Sequence, residues 1–205
     1  MVEPTYRGAA SVAREVELLA RIATGDRKAF EDLYGLYHRR MARFLTRLTR
    51  RYDLAEEVIN DTFWVVWCKA REFRGDSQPS TWILGIAYRK ARNALRSQAR
   101  EGQQNLEATS LPLTSSEEPF RTEELRDWLG QALAQLPVEQ RIGVELCYEL
   151  GYSCEEIAKI MGCPVNTVKT RLFHARAKLQ KLLPQLAGTA GGAAAPGAPS
   201  AQEHH

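Results

Sequence analysis

The sequence predicts an all-α chain built as two small helical domains joined by a flexible linker. Three observations carry that expectation. Apolar residues recur at three- and four-residue steps both before position 97 and after position 121. A polar stretch rich in Gln, Glu, Ser, Thr and Pro separates the two series. Finally, Ser153–Leu183 encodes two amphipathic helices around a Gly162-Cys163-Pro164 break.

Composition sets the scale. With 205 residues, 44% of them hydrophobic, the chain can bury one medium core or two small ones, and the two-domain pattern favours two. A net charge of +3 hides strong segregation. Basic runs at Arg39–Arg51, Arg89–Arg100 and Lys169–Lys181 alternate with acidic ones at Asp53–Asp61 and Glu117–Glu124. Such blocks suggest separate surfaces for separate partners. The opening MVEPTYRGAA has no apolar core for a secretory signal, and no apolar run approaches the roughly 20 residues that cross a bilayer. A cytoplasmic location without membrane insertion is therefore expected.

Leu18, Leu19 and Ile22 mark a first helix that ends at Gly25, and Asp26 is placed to cap the next. Phe30, Leu33, Tyr37, Met41, Phe44 and Leu48 then step by three and four, a bulky stripe along a long helix. Its other faces carry Arg39, Arg40, Arg43, Arg47, Arg50 and Arg51. Asp53 is expected to open a third helix, with Ala55, Val58, Ile59, Thr62, Val66 and Ala70 turned inward. On another side Asp53, Glu57 and Asp61 follow at four-residue intervals, with Glu56 beside them and the aromatics Phe63, Trp64 and Trp67 close by.

A turn-rich loop, Arg71–Thr81, leads to a helix expected to begin near Trp82 with Ser80 or Thr81 as its cap. Ile83, Ala87 and Ala94 suit its core side. Arg89, Arg92, Arg96 and Arg100 run along a different face, headed by Trp82. An aromatic ring at the head of a basic stripe suits a single nucleic-acid strand, with phosphates on the arginines and an unstacked base on the ring; the same Trp would also serve as plain core. The loop ahead of it is a candidate pocket for a base drawn from the duplex.

The domain limits follow as 1–97, a linker over 98–121, a second domain over 122–187 and a disordered Gly/Ala/Pro tail over 188–205. In the second domain Gly151 suits a left-handed stop, and Ser153 with Glu156 forms a capping box. Ile157, Ala158, Ile160 and Met161 give that helix its apolar side. After the break, Asn166 or Thr167 is the expected cap of a helix whose buried stripe is Val168, Leu172, Ala175, Leu179 and Leu182. Outside the stripe lie Lys169, Thr170, Arg171, Phe173, His174, Arg176, Lys178 and Lys181, with no carboxylate from Asn166 to Leu183. A capped two-helix frame with a cationic second helix is how a protein presents itself to a major groove, and Arg171 is a candidate for a bidentate guanine contact.

Cys68, Cys147, Cys154 and Cys163 form no C-x-x-C pair and have no His at zinc-finger spacing, so reduced thiols are the default, and no metal or other cofactor is expected. Cys154 and Cys163 flank the first helix of the DNA-reading pair, which leaves a redox switch as the lesser reading. The acidic stripe near Trp64 has three readings: a magnesium site of a helical nucleotide hydrolase, a docking surface for a basic partner, or a solvated face. Metal chemistry needs matching carboxylates on a second helix, and none appears in the first hundred residues. Trp64 favours docking, because Trp is enriched where interfaces concentrate binding energy.

The order of parts resembles the bacterial sigma factors of the extracytoplasmic-function group, over about Glu15 to Leu186. GDRKAFEDLYGLYHRR is similar to the start of sigma region two, DLAEEVINDTFWVVWCKA to its polymerase-binding helix, and FRGDSQPSTWILGIAYRKARNALRS to its promoter-melting and minus-ten-reading part. LAQLPVEQRIGVELCYELGYSCEEIAKIMGCPVNTVKTRLFHARAKL resembles region four, which reads the minus-thirty-five element. The resemblance implies that Asp53, Glu56, Glu57, Asp61 and Trp64 face core RNA polymerase. It implies further that the Gly75–Ser80 loop, with Asp76, Ser77 and Gln78, and the helix bearing Trp82, Arg89, Arg92 and Arg96 open and read the minus-ten strand. Asn166, Thr167, Lys169, Thr170, Arg171, His174 and Arg176 fall to the minus-thirty-five duplex.

Two positions depart from the family's commonest pattern. Asn166 stands where Gly usually precedes the Thr-Val pair, and Arg89 where Asn is frequent. The expected function is non-enzymatic: a transcription initiation factor with core RNA polymerase and promoter DNA, duplex and melted, as partners and an anti-sigma protein as its inhibitor. The competing readings are a stand-alone helix-turn-helix regulator, which requires a dimer, and a metal-dependent nucleotide hydrolase.

Overall fold

The computed structural model describes residues 9–102 and 130–190, and every regular element within them is helical. Helix α1 spans Ala9–Ala23 and α2 spans Arg27–Thr49. The turn between them follows from two residues. Gly25 takes φ +89°, where a side chain would be strained, and the Asp26 carboxylate accepts the Ala29 N–H at 3.1 Å, closing the first turn of α2. At the far end Arg50 sits at φ +57°, its N–H donating to the Thr46 carbonyl at 2.7 Å.

Helix α3 spans Tyr52–Lys69. It starts one residue before the expected Asp53, and Arg51 occupies the cap position without a side-chain hydrogen bond. Asp53 lies in the first turn instead, where a carboxylate meets the positive end of the helix dipole. A 3-10 turn, Ala70–Glu72, leads to α4 at Pro79–Gly102. The expected caps Ser80 and Thr81 are inside this helix and buried, because Pro79, with its fixed φ and missing N–H, is itself suited to the first helical position. At its other end α4 continues through Ser97 to Gly102, so helix occupies the first residues of the stretch read as linker; residues 103–121 of that stretch lie outside the described residues.

After residues 130–134, which are helical, Pro137 introduces α5, Val138–Val144, which widens into a π turn over Glu145–Glu149. Gly151 at φ +70° reverses the chain, and the expected capping box is present: Ser153 Oγ accepts the Glu156 N–H at 3.2 Å while Glu156 accepts the Ser153 N–H at 2.9 Å. Helix α6 is Cys154–Met161, closed by Gly162 at φ +64°, and α7 is Val165–Ala190. Because α7 begins directly after Pro164, Asn166 and Thr167 are first-turn residues and neither caps; the Thr167 N–H donates to the Pro164 carbonyl at 2.9 Å. The helix also covers the first residues assigned to the tail, and residues 191–205 lie outside the described residues.

Most of the periodic residues are buried as the spacing requires, while Phe30, Ala94 and Leu182 are half-buried. Leu33, Tyr37, Met41, Phe44 and Leu48 of α2 lie in one cluster with Ala55, Val58, Ile59 and Val66 of α3 and Ile83 and Ala87 of α4. Val168, Leu172 and Ala175 line the buried side of α7, with Leu179 half-covered beyond them. The expectation of two separate cores is corrected here: among the described residues the buried apolar side chains form one continuous cluster that takes in both halves of the chain. The halves meet most closely where α4 crosses α6. A Cβ added at Gly85 would stand 3.8 Å from Ile160 Cα, an ordinary van der Waals contact, so the two backbones cross with room for no more than a small side chain.

Candidate functional site

On α3 the four-residue acidic spacing becomes a single exposed row. Asp53, Glu57, Asp61 and Trp64 all face outward, with Trp64 67% exposed, while Leu54, Val58, Ile59 and Phe63 are buried behind them. Hydrogen bonding from Arg51 holds the Asp53 carboxyl below its ordinary pKa. Asp61 accepts from Lys90 of α4 at 2.9 Å. Glu56 departs from the row: it is half-buried and its Oε2 lies 3.0 Å from His38 Nε2. The expected neighbours Phe63 and Trp67 are not surface aromatics but part of an aromatic stack, with Phe30 edge-on to both at centroid distances of 6.0 and 5.3 Å.

A surface groove of about 470 Å3 runs beside this row, between α3 and α4. Trp82, Ile86, Arg89, Lys90 and Asn93 of α4 form one wall, and Val65, Lys69 and Glu72 the other. Trp82 is half-buried: it packs on Phe73 at 5.4 Å, as the core reading expects, and also lines the groove. Burial and the nearby Arg92 charge lower the pKa of the Arg89 guanidinium even though the residue as a whole reaches solvent. Arg92 is placed differently, over the Tyr88 ring at 5.7 Å, and Arg96 is exposed further along. In the preceding loop Asp76 and Gln78 are exposed and Ser77 is half-buried; Asp76 offers its carbonyl to Lys159 of α6 at 2.7 Å. Sequence reasoning missed Lys69, Lys90 and Asn93, which no helical stripe singled out and only the approach of α3 to α4 brings together.

On α7, Asn166, Lys169, Thr170, Phe173, His174 and Arg176 are exposed and Thr167 is half-buried. Phe173 is 66% exposed, with the His174 ring 5.6 Å away in a T-shaped arrangement. Arg176 hydrogen-bonds the Tyr148 hydroxyl and lies over that ring at 5.6 Å. Arg171, the candidate base reader, is turned toward the protein: its Nη1 lies 3.2 Å from Glu139 Oε2 and 3.6 Å from Cys163 Sγ. Glu139 also accepts from the Tyr88 hydroxyl at 2.9 and 3.1 Å, and burial, then this hydrogen bond, pushes the phenol up to about 12. One carboxylate therefore links α4 to α7. Its position in PVEQR carries no sequence signal for that role.

Among the described residues no three His, Cys, Asp or Glu side chains converge as a metal site would need, and no helix is long and apolar enough to cross a membrane. The surfaces present are an acidic row with a projecting indole, an open groove whose walls carry Lys69, Arg89 and Lys90, and a cationic helix in a helix-turn-helix frame.

Comparison with known proteins gives a coherent result. The family model described as Sigma-70 region 2 matches residues 33–101, and that described as Sigma-70, region 4 matches residues 126–179. The chain is 32% identical over 180 residues to the ECF RNA polymerase sigma-E factor of Haemophilus influenzae, covering 82% of this chain and 95% of the relative. It is 33% identical over 170 residues to the factor of the same name from Escherichia coli K12, covering 78% and 88%. Among solved structures, the sigma factor RpoE of Bartonella quintana, crystallised with the anti-sigma factor NepR, superposes with a TM-score of 0.66 at 28% identity over 77% of this chain and 98% of that one. CnrH, crystallised with the cytosolic domain of CnrY, shares the fold with a TM-score of 0.63 at 23% identity, covering 84% of this chain and 98% of its own.

Proposed function

The chain belongs to the extracytoplasmic-function group of bacterial RNA polymerase sigma factors, and from that premise we propose how its own residues divide the work of promoter recognition. The exposed row Asp53, Glu57, Asp61 and Trp64 docks on core RNA polymerase, with carboxylates meeting a basic surface and the indole as anchor. Half-buried Glu56 supports the row through His38.

The groove beside that row receives the melted minus-ten strand. Trp82 offers a ring face to an unstacked base, Arg89, Lys90 and Lys69 draw phosphates to the groove, and Arg96, exposed further along α4, extends the cationic track. Asp76, Ser77 and Gln78 in the loop hold the displaced base, and Arg92 stiffens the helix against Tyr88. Lys169, Thr170, His174 and Arg176 of α7 meet the minus-thirty-five duplex with Asn166 and Thr167 at the helix start, and Arg171 joins them once Glu139 releases it. No group of this chain performs bond chemistry in this scheme; the polymerase does. Residues 1–97 act as the polymerase and minus-ten module and 122–187 as the upstream module, working in the cytoplasm.

The single observation that carries the reading is the adjacency on α3 and α4 of an exposed acidic row with Trp64 and a cation-walled groove of about 470 Å3. The complex of the related Bartonella sigma factor with NepR supports an anti-sigma protein as the inhibitory partner here. The test is reconstitution. Core RNA polymerase with this chain is expected to initiate at a subset of promoters in a fragmented genomic library, and Trp64→Ala with Glu57→Lys to abolish it; failure of the parent chain to initiate anywhere overturns the reading.

A further inference from the structure

Resting on the assignment of the groove between α3 and α4 to the melted strand, we propose that Arg89 does more there than attract phosphate: it reads a base and makes the groove selective for an unpaired guanine. The three cations that line the groove are not alike. Lys69 is paired with Glu72 at 3.2 Å and Lys90 with Asp61 at 2.9 Å. Arg89 differs, since among the described residues no carboxylate, carbonyl or aromatic ring engages its guanidinium. The side chain folds back along α4, so that a Cβ placed on Gly85 would stand 3.4 Å from its Nη1 and 3.9 Å from its Nη2. That puts the fork beside the position three residues after Trp82, about 4.5 Å along the helix axis from it. Burial, then the nearby charge of Arg92, disfavours the cation where it lies. Donors set in a fixed fork and left without protein acceptors are available to the acceptors of a ligand.

The rest of this helix face suits a purine. Trp82, Ile86, Arg89 and Asn93 step by four, three and four, so they share one side of α4, and all four line the groove. Trp82 supplies a ring for stacking, and a purine covers more of an indole than a pyrimidine does. Guanine carries two coplanar acceptors, O6 and N7, on one edge, and an arginine fork meets both at once. Adenine sets its N6 amino donor beside N7, and thymine offers one acceptor beside a methyl group, so either leaves a guanidinium donor unsatisfied. Cytosine has adjacent acceptors, N3 and O2, but only a single ring to stack. Asn93, one turn beyond Arg89 and exposed, adds an amide carbonyl that can accept from the imino or amino hydrogens of guanine. The paired lysines then attract the strand, while the choice of base falls to the guanidinium that no carboxylate holds.

The experiment uses the full chain and fluorescein-labelled single strands of thymine in which one central base is guanine, adenine, cytosine, thymine or 7-deazaguanine. Fluorescence anisotropy gives the affinity for each. The parent chain is expected to bind the guanine strand about fivefold more tightly than the adenine, cytosine or thymine strand, and to lose most of that advantage on 7-deazaguanine, which lacks the N7 acceptor. Arg89→Lys keeps the charge and removes the fork, so it is expected to bind the thymine strand as the parent does and all five strands alike. The 7-deazaguanine comparison is made on the parent chain and stands whether or not the variant folds. An adenine, cytosine or 7-deazaguanine strand bound as tightly as the guanine strand overturns the base reading, and so does an Arg89→Lys chain that keeps the parental preference. Binding to none of the strands removes the melted strand from the groove, and the guanine reading with it. Reconstituted transcription reports separately on the promoter role: a chain that initiates with core polymerase yet binds all strands equally loses the guanine reading alone, whereas one that prefers guanine but never initiates loses the promoter role and keeps the base reading.

Discussion

Lys90 of α4 donates to Asp61 of α3 at 2.9 Å, so the helix that walls the strand-binding groove is tied to the acidic row proposed for polymerase docking. Both side chains are well exposed, which limits the pair to at most about 1 kcal/mol of stability. Asp61→Asn and Lys90→Gln should therefore both fold normally and separate by function. The first is expected to weaken polymerase binding several-fold, the second to leave it unchanged while weakening capture of single-stranded minus-ten DNA. Equal effects of both on polymerase affinity would contradict the division of surfaces.

Glu145 supplies a pH dependence. It is the buried first residue of the π turn, and burial raises its pKa from 4.5 to about 7, against the opposing influence of Arg47 from α2 and Arg141 from α5 and with reinforcement from Glu149. The folded state thus binds a proton more tightly than the unfolded chain does, so this residue makes stability fall as pH rises from about 4.5 through about 7. The cost at alkaline pH is on the order of 3 kcal/mol at most. Glu145→Gln should flatten the dependence in that window and raise the urea midpoint at pH 8 while changing little at pH 5; an unchanged pH profile would refute it.

The capping box at Ser153 and Glu156 closes the first turn of α6. Ser153→Ala should cost about 1 kcal/mol, read as a lower unfolding temperature, and Ser153→Asp should recover most of it. Recovery distinguishes a lost cap from lost packing.

Lys169 is exposed on α7 and serves the duplex as a phosphate contact in the proposed scheme. Lys169→Ala is expected to lower affinity on every sequence alike and to reduce the slope of log affinity against log salt by about 1. A change confined to one base position would mark Lys169 as a base reader instead.

The elements were legible because their signals are local. Gly25 with Asp26, and Ser153 with Glu156, are turn and cap chemistry that tertiary packing leaves intact, and the stripes from Leu33 to Leu48 and from Val168 to Ala175 are buried as their spacing required. Boundaries failed where two local signals competed. At Pro79 a fixed φ suited to the first helical position outweighed the capping oxygens of Ser80 and Thr81, whereas Pro164, just ahead of α7, accepts the Thr167 N–H with its carbonyl, so the helix has begun before Asn166 and Thr167 are reached. Half of the candidate surface was equally readable, since the steps from Asp53 to Trp64 place four side chains on one exposed face.

What could not be read was anything that depends on one helix meeting another. Gly85, Tyr88, Glu139 and Glu149 have no motif about them, and Arg171 reads as an outward cation until Glu139 is known to stand 3.2 Å away. For the same reason a chain that reads as two cores buries one, because the arginines of α2 count as solvated until an acidic residue more than a hundred positions later is brought against them.

The stack formed by Phe30, Tyr34, Tyr37 and Phe63 has a bearing on Trp64, the next residue along α3. With Phe63 wedged among three rings, the helix cannot roll about its long axis, and the following side chain is projected outward in a direction decided before any encounter takes place. Such a probe arrives already aimed, so little orientational freedom remains to be surrendered when a partner closes over it.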